Sequence, residues 1–507
     1  MSNFLDDKDN PSQIWLFPPS LCEMIPQDCE VRPFKQMMDK LDYTSIKDSY
    51  SEKGRQPYPP HVMTKLLVYA YSNGIRSSRD IEKLVKYDVR YMWLCDNHKP
   101  DHNTIARFRK DKYQYLKELF TETITLCKES GLVSLKSVAV DGSKFESNTS
   151  KKSIYGEEEI ETSRKLAEKI LKEADEADEA ENGTDKDKAD KQKKAEELNS
   201  KAEKAEEELK LSGKKTVSLT DPESRMMKTQ NGKKSCFNIQ MAVDVTSGVI
   251  VHTSVTNSEN DHHQLPGVLS DIYENLGSYP EAVLADTGYC DDVNFGFVRE
   301  NNINALIPIQ KHKSEKENQD NPFYGKNFEH NKDRDVLICP GNRELTFTKI
   351  RKNGHGNHYR EYIITGCGDC EFCPECCKHE PSPRRRVYLG VEYEYREDMK
   401  QRMSLDENKE LFRMRKQSIE PTFGQIKQNY NLRRFGLRGI AGATSEMMLI
   451  CIAHNIRKAV CCAVYLLNCR IFAYIRGIYR KNTAEIPIPR YYLVRFMYFV
   501  NVEYLFV

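Results

Sequence analysis

The chain has 507 residues, of which 39% are apolar and 30% charged, and its formal net charge is +1. This length exceeds one typical domain, and the net charge alone indicates no particular partner. No stretch reaches the roughly 18 uninterrupted apolar residues of a membrane-spanning helix, and the polar, acidic start at residues 1–11 is unlike a secretion signal. We therefore expect a cytoplasmic protein with no membrane partner.

Charge is distributed unevenly along the chain. Residues 400–507 carry 18 Lys and Arg against 7 Asp and Glu, whereas residues 155–215 carry 14 against 20. A basic segment of this size favours a polyanionic partner, because each phosphate that it neutralises releases counterions. The alternative interpretation is a solvated helical surface.

The N-terminal quarter of the chain has helical patterns. An apolar run at 62–71 has helix-like spacing and ends near Gly74, after which Ser77 supplies the N-cap of a second helix. A third helix begins near Thr104, and a fourth covers about 113–130. Two short helices joined by a tight glycine-containing turn are typical of a helix-turn-helix, although small helical bundles use the same turns. We expect this region to bind DNA.

Strand patterns begin at about residue 135. The apolar run 138–140 ends at Asp141 and fits a buried strand. A Lys-, Glu- and Ala-rich segment then reaches to about residue 215, and Asn182-Gly183 divides it into two halves. This composition predicts a solvated helical hairpin inserted into the fold.

Beyond that insert the strand patterns return. Segments 236–243 and 249–255 are separated by a short turn sequence and predict a β-hairpin. A helix over about 263–276 follows, with short buried strands at 282–285 and 303–309. This order predicts an α+β fold with an α/β core built on a mixed sheet.

Two aspartates stand out among the strand patterns. Asp141 and Asp286 each end a short apolar run and are followed by Gly or Thr-Gly. Carboxylates at a sheet edge can share a divalent cation, and a third acid on a neighbouring helix would complete such a site. A lone Asp in this position is more often a turn or helix cap. Asp244 also ends an apolar run, but it begins the hairpin turn, where Asp is ordinary turn chemistry.

A set of motifs extends over most of the chain. They are VDGSK (140–144) with Asn148, DPESRMMK (221–228), NIQMAVD (238–244), NDHHQL (260–265), ADTGY (285–289) and IEPTFGQIK (419–427). Together they resemble the motifs of bacterial insertion-sequence DDE transposases that have a ribonuclease H-like catalytic domain, an N-terminal helical domain and a cysteine-containing insert before the catalytic Glu.

The resemblance implies that Asp141, Asp286 and Glu420 bind two catalytic ions of Mg²⁺ or Mn²⁺. Family members often carry the signature Tyr-x2-Arg-x3-Glu-x6-Lys. Lys427 stands at the required distance after Glu420, and the two share one side of a helix. The preceding part departs from the signature, because basic residues occupy both the Arg and the Tyr positions. The residues that we expect to contact DNA are Lys427, Lys416 (at the Arg position), Arg413 (at the Tyr position), Arg433 and Arg434.

His262 and His263 follow Asp261 directly before a predicted helix. They have the chemistry to cap the helix, to bind phosphate or to bind a metal ion. A structural role is at least as common for such residues, so we leave them outside the triad.

A cysteine-rich segment precedes the helix that carries Glu420. Steps of Cys-x2-Cys with a distant upstream Cys suit tetrahedral coordination of Zn²⁺ in a structural site. His355, His358 and His379 are alternative ligands, and reduced cysteines in a small β-module are the alternative interpretation. The candidate zinc ligands are Cys339, Cys367, Cys370, Cys373, Cys376 and Cys377.

These patterns predict a bacterial, nucleoid-associated DNA transposase that acts on double-stranded DNA, as a homodimer because two DNA ends must be joined. It would bind the terminal inverted repeats of its element, cleave the ends and transfer strands to target DNA. The predicted domains are an N-terminal helical DNA-binding domain (1–131), a ribonuclease H-like catalytic domain (132–458) with a charged helical insert (155–215) and a Cys-rich insert (315–400), and a basic and apolar C-terminal extension (459–507).

Three alternatives stay open at this point. The first is a ribonuclease H-like nuclease that cuts DNA without joining it. The second is a DNA-binding regulator with an inactive site, against which the intact triad argues. The third is a zinc-stabilised scaffold with no DNA role.

Overall fold

The fold is described here from a computed structural model. It describes residues 20–50, 56–179, 185–309, 313–352, 358–377 and 384–479, and the side chains of 174–179, 185–188, 313–314 and 463–479 are left out. The predicted break at Asn182-Gly183 and the alternative ligands His355 and His379 lie outside the described residues.

Helices make up most of both ends of the described chain. In chain order they are α1 (Val31–Met38), α2 (Thr44–Asp48), α3 (Pro60–Ser72), α4 (Ser78–Tyr87), α5 (Val89–Leu94), α6 (His102–Asp111), α7 (Tyr113–Glu129), α8 (Glu157–Glu179), α9 (Asp185–Ser212), α10 (Leu265–Leu276), α11 (Asp292–Glu300), α12 (Lys313–Glu317), α13 (Cys373–Cys376), α14 (Tyr393–Ser404), α15 (Asp406–Gln428) and α16 (Gly439–Tyr479).

Strands are confined to the middle of the chain. They are β1 (Ser137–Glu146), β2 (Ile154–Gly156), β3 (Thr216–Ser218), β4 (Arg225–Thr229), β5 (Gly232–Asp244), β6 (Ile250–Thr256), β7 (Ala282–Ala285), β8 (Ala305–Leu306), β9 (Glu329–Asn331), β10 (Val336–Ile338), β11 (Glu344–Lys352), β12 (His358–Thr365) and β13 (Arg384–Gly390).

The chain divides into two compact units, which we call the helical unit (1–132 and 425–507) and the sheet unit (133–424). This division differs from the predicted domain bounds, because residues from 425 onward group with the N-terminal helices. α16 also continues across residue 459, where we placed the start of the extension. A division into compact units does not show which segments bind DNA or catalyse a reaction. The bounds of the DNA-binding and catalytic domains therefore stay predictions.

In the helical unit, α3 is the central element. Nearly every side chain of α3 is buried, as expected for a helix that is surrounded by others, and it packs against α16 and α6. Side-chain caps begin the neighbouring helices: Ser77 Oγ accepts from Asp80 N (3.4 Å) and Asp101 Oδ1 accepts from Thr104 N (2.7 Å). The four helices predicted between 62 and 130 are therefore present.

A buried carboxylate connects several segments of the helical unit. Glu446 on α16 is fully buried and accepts hydrogen bonds from the Tyr71 hydroxyl (3.1 Å) and from the backbone N–H groups of Gly436 (2.5 Å) and Leu437 (3.1 Å). The guanidiniums of Arg76 and Arg109 lie 3.7 and 3.6 Å from its Oε1. Two charges and three donors thus compensate the burial of one carboxylate.

The sheet unit is built on a mixed six-stranded sheet. β6 and β4 both pair with β5, and the order continues β5-β1-β7-β8. β5 is antiparallel to β1, while β7 is parallel to β1 and β8 to β7. Three antiparallel strands followed by two parallel strands, with α10 before β7 and α11 before β8, form the ribonuclease H-like arrangement. The predicted α+β fold with an α/β core is confirmed.

Two smaller modules are inserted into this sheet unit. The pair β2–β3 closes the helical hairpin α8–α9 around a small core that includes Tyr155, Ile160 and Val217. A five-stranded antiparallel sheet, β13-β12-β11-β10-β9, forms the second module around Leu337, Tyr362 and other apolar side chains.

One predicted strand is much shorter than expected. Segment 303–309 forms only the two-residue strand β8, because its pairing with β7 is limited to two residue pairs. Within the described residues, no helix has the length and apolar character needed to span a membrane.

The buried network around Glu446 makes a testable prediction. Replacing Glu446 with Gln leaves Arg76 and Arg109 without a carboxylate, so we expect the free energy of unfolding to fall by about 3 kcal/mol. The matched control is Glu410→Gln, because Glu410 is 70% exposed and forms only an i,i+3 ion pair with Arg413. Urea denaturation followed by circular dichroism would show a lower midpoint for the first variant alone, and equal midpoints would contradict the prediction.

Candidate functional site

Two aspartates lie side by side on adjacent strands of the central sheet. β1 and β7 are parallel, and the last pair in their register is Val140 with Ala285. Asp141 and Asp286 are the next residues of each segment, so both follow the final parallel pair. β7 ends there, whereas β1 continues to Glu146 because β5 pairs along its other edge. The prediction that each aspartate ends a strand is correct for Asp286. Asp141 ends only the pairing of β1 with β7, since β1 itself continues along β5.

The guanidinium of Arg415 lies against both aspartates. Its Nη1 is 3.7 Å from Asp141 Oδ2, and its Nη2 is 3.6 Å from Asp286 Oδ2. These distances are long for hydrogen bonds, and Nε and Nη1 have no hydrogen-bond partner among the described residues. Arg415 is only 5% exposed, so one buried positive charge faces two carboxylates.

The packing of α15 on the sheet holds Arg415 in this position. Ile419 and Phe423 are buried on the same helix, and the Phe423 ring lies 6.3 Å from the ring of Phe145 on β1. The resemblance put Lys416 at the Arg position of the signature, but Lys416 is exposed. Arg415, one residue earlier, is the basic side chain that reaches the aspartates.

Burial, together with neighbouring negative charge, perturbs the pKa of Asp141. Burial raises the pKa of Asp141 to about 6, and the negative charges of Asp286 and Asp261 add to this increase. The positive charge of Arg415 and a hydrogen bond from the Gly142 backbone N–H to Oδ1 (2.9 Å) oppose it. The ionised form of Asp141 is therefore disfavoured where it stands, which is common at sites that bind or transform a ligand.

Glu420 is not brought together with the two aspartates. It is exposed on α15 and lies five residues after Arg415, about 140° around the helix. As they stand, no three His, Cys, Asp or Glu side chains in the described part of the chain are arranged to hold a metal ion. The place of Glu420 in a triad therefore stays a prediction.

Asp261, in contrast, lies close to both aspartates. A Cβ atom on Gly142 would lie 2.0 Å from Asp261 Oδ1, and one on Gly288 would lie 3.2 Å from Asp261 Oδ2. We noted the segment around Asp261 in the sequence but did not select this residue. The sequence feature that points to Asp261 is the pair Gly142 and Gly288, which follow Asp141 and Asp286 within two positions and leave space for a third side chain.

The two histidines after Asp261 pair with a helix cap. Asp291 caps α11 by accepting from the N–H groups of Val293 and Asn294. Its carboxylate also lies 3.5 Å from His262 Nδ1 and 3.8 Å from His263 Nε2. These contacts give both histidines a structural environment.

Asp244 forms the turn that its sequence indicates. Its Oδ1 accepts from the backbone N–H groups of Thr246 (3.0 Å) and Ser247 (2.9 Å), and Oδ2 accepts from those of Ser134 (3.1 Å) and Leu135 (3.3 Å). A buried carboxylate with this many donors stabilises local structure.

The remaining predicted DNA contacts fall in both units. Arg413 and Lys416 belong to the sheet unit and are exposed, and Arg413 forms a 2.9 Å ion pair with Glu410. Lys427, Arg433 and Arg434 belong to the helical unit, where both arginines are exposed. The exposure of Arg413, Lys416, Arg433 and Arg434 identifies no partner, and Lys427 is only partly exposed.

All six predicted zinc ligands line one cavity beside the five-stranded sheet. They come from the turn after β10, from the turn after β12, and from α13 with the residue that follows it. A Cβ on Gly341 would lie 3.1 Å from Cys370 Sγ and 3.8 Å from Cys339 Sγ. Burial, with the charges of neighbouring thiols, raises the pKa of Cys377 to about 12. The thiols are close neighbours, but, as stated above, no three converge as metal ligands.

Family comparisons match two parts of the chain. A family described as "Transposase DDE domain" matches residues 338–460, and one described as "Transposase domain (DUF772)" matches residues 19–111. The two matches indicate an insertion-sequence DDE transposase. The first match includes Glu420 and the six cysteines, whereas Asp141 and Asp286 lie outside both matches. No curated protein and no solved structure matches the chain.

The raised pKa of Asp141 predicts how the stability of the protein responds to substitution. Because the folded pKa of about 6 lies above the usual 3.8, ionisation of Asp141 weakens the fold as the pH rises from about 4 to 6. Asp141→Asn removes this effect, so its free energy of unfolding at pH 7.5 should exceed that of the natural protein by up to about 3 kcal/mol. The difference should disappear at pH 4.

The matched control is Asp244→Asn, the same change at a carboxylate that accepts several hydrogen bonds. It should lower the free energy of unfolding at pH 7.5. Denaturant titration in EDTA measures the free energy of unfolding of both variants. A loss of stability in Asp141→Asn as large as that in Asp244→Asn would refute the raised pKa of Asp141.

Proposed function

We propose that this transposase binds the terminal inverted repeats of its insertion sequence, cleaves the DNA ends and transfers the resulting strands to target DNA. The observation that carries the proposal is the pair Asp141 and Asp286 at the end of the β1–β7 pairing, with Arg415 buried against both. A ribonuclease H-like sheet and the "Transposase DDE domain" match give this pair its chemical context.

We assign Mg²⁺ or Mn²⁺ to Asp141, Asp286 and Glu420. The fit rests on the donor chemistry: hard carboxylate oxygens suit these ions, and two of the three acids are neighbours in a partly buried position. When bound, the two ions activate the attacking oxygen and stabilise the leaving oxygen of phosphoryl transfer. Glu420 lies on the face of α15 that also carries Lys416, four residues earlier.

The protein side chains would perform the binding and positioning. Arg415 offsets part of the repulsion between Asp141 and Asp286 and keeps their carboxylates on one side of the sheet. Basic side chains neutralise DNA phosphates and hold the DNA end in place. We assign this role to Lys416, Arg413, Lys427, Arg433 and Arg434.

The helical unit is the proposed reader of the terminal repeats. Its α3 and α4 are joined by a tight turn in which Gly74 has φ +71°, a conformation that favours glycine, and α6 follows after α5. The "Transposase domain (DUF772)" match covers these helices. A homodimer would hold two DNA ends together, and the bacterial cytoplasm with its nucleoid is the proposed location.

We also propose that the cysteine-lined cavity holds a structural Zn²⁺. Six thiols from three segments face one cavity, and soft thiolate ligands select zinc over the hard ions of the aspartate pair. Zinc binding would displace thiol protons, and the positive charge of the ion would counteract the burial and the neighbouring thiols that raise the pKa of Cys377.

The catalytic assignment predicts a defined loss of activity. Asp286→Asn should reduce both cleavage and strand transfer on end-containing oligonucleotides by at least about 100-fold, because it removes a metal ligand and one negative charge. DNA affinity at low salt should be unchanged or higher. Gel assays with Mg²⁺ measure both products.

Other outcomes separate the alternatives. Cleavage without a joined product in the natural protein would favour a nuclease. Unchanged cleavage in Asp286→Asn would refute the assignment. Failure of the natural protein to bind DNA at low salt would contradict the proposed function altogether.

The zinc assignment predicts a measurable metal content. The double variant Cys370→Ser and Cys373→Ser should lose bound zinc and unfold at a lower temperature. Cys22→Ser removes a thiol outside the cavity and serves as the control. Elemental analysis of the purified full chain gives zinc per protein, and an unchanged content in the double variant would refute the site.

A further inference from the structure

Asp261 reaches the aspartate pair from a different part of the sheet unit. It lies in the segment between β6 and α10, and it packs directly against Gly142, the residue after Asp141. On its other side, a Cβ on Gly288 would lie 3.2 Å from Asp261 Oδ2 and 2.9 Å from Asp286 Oδ1. Neither glycine has a positive φ, so their backbone conformation does not require glycine. What matters is that they lack a Cβ, which leaves space for the Asp261 side chain.

Two buried amides fix the orientation of Asp261. Asn238 Nδ2 and Gln240 Nε2 donate to the same oxygen, Oδ1, at 2.8 and 2.7 Å. Both donors come from β5 and are at most 1% exposed. The Tyr289 hydroxyl donates to Gln240 Oε1, which leaves the Gln240 amide N–H to face Asp261. Oδ1 therefore has two donors, while Oδ2 is directed toward Gly288 and the Asp286 side.

The carboxylates at this position carry more charge than the neighbouring guanidinium of Arg415 can neutralise. Three carboxylates, those of Asp141, Asp286 and Asp261, lie near one another, and the guanidinium of Arg415 faces the first two. That guanidinium, on Arg415, is 5% exposed and forms no hydrogen bond through Nε or Nη1 within the described residues. Like charges this close repel one another, and a divalent cation would both neutralise them and draw them together.

We propose that Asp261 is a further acid of the metal site, contributing Oδ2 to a divalent cation that it shares with Asp141 and Asp286. This inference rests on the proposed function, since it uses the same pair of aspartates. It gives the site a third carboxylate that does not depend on Glu420. Asn238 and Gln240 act as positioning residues, because they orient the carboxylate through Oδ1.

The test is direct binding of Mn²⁺ to the full chain in the absence of DNA, measured from the paramagnetic resonance of free Mn²⁺. Asp261→Asn keeps an oxygen that accepts from Asn238 and Gln240 but replaces Oδ2 with an amide. It should weaken Mn²⁺ binding by at least about tenfold, as should Asp141→Asn. Glu259→Gln, an exposed change of equal charge two residues away, should leave binding unchanged.

A second variant tests the geometry without removing a carboxylate. Gly142→Ala places a Cβ where Asp261 Oδ1 stands, so it should displace Asp261 and also weaken Mn²⁺ binding. Thermal unfolding of each variant establishes that the sheet unit is folded. In cleavage assays, Asp261→Asn should raise the Mg²⁺ concentration needed for half-maximal rate by a similar factor.

The outcomes distinguish this inference from the proposed function. Weakened binding in Asp261→Asn, Asp141→Asn and Asp286→Asn supports both. Weakened binding in the last two with natural affinity in Asp261→Asn overturns the role of Asp261 alone. Natural affinity in all three overturns the metal site itself and, with it, this inference.

Discussion

The placement of two like charges on neighbouring parallel strands is the constraint on which the rest of the sheet unit depends. The register of β1 with β7 ends one residue before Asp141 and Asp286, so the two carboxylates have no freedom to move far apart. The buried positive charge of Arg415 on α15 partly compensates this repulsion. The position of α15 on the sheet, with Phe423 near Phe145, follows from the same requirement.

This arrangement weakens the fold where the chemistry is proposed to take place. Burial and neighbouring negative charge raise the pKa of Asp141, which is an energetic cost of keeping the acid ionised near neutral pH. The long antiparallel pairing of β5 with β1 and β6 places the site on strands that are buried over much of their length. A rigid sheet that holds repelling carboxylates has a preorganised affinity for cations.

Much of this architecture could be predicted from the sequence. Continuous apolar runs identified β1 and β7, because parallel central strands are buried on both faces, and the hairpin and the flanking helices follow from local patterns. The six cysteines of the Cys-rich segment line one cavity, and their role as zinc ligands stays a prediction. The short β8 was overestimated, since the apolar content of 303–309 does not reveal how few residues find a pairing partner.

The parts that sequence patterns missed depend on tertiary approach. Lys416 and Arg415 are adjacent on one helix, and only the rotation of α15 on the sheet decides which of them reaches Asp141. Asp261 lies more than 100 residues from Asp141 in the sequence. It can approach Asp141 in the fold because Gly142 has no side chain in the way. The boundary near Gln425 was missed because α15 is one continuous helix that contributes residues to both units.

The central claim is that Asp141 and Asp286 share a divalent cation. Anomalous diffraction from crystals of the full chain grown with Mn²⁺ tests it most directly, because the signal locates the ion independently of activity. We expect an anomalous peak within about 2–2.5 Å of carboxylate oxygens of both aspartates. Crystals that bind Mn²⁺ elsewhere while Arg415 stays between two unligated aspartates would contradict the claim.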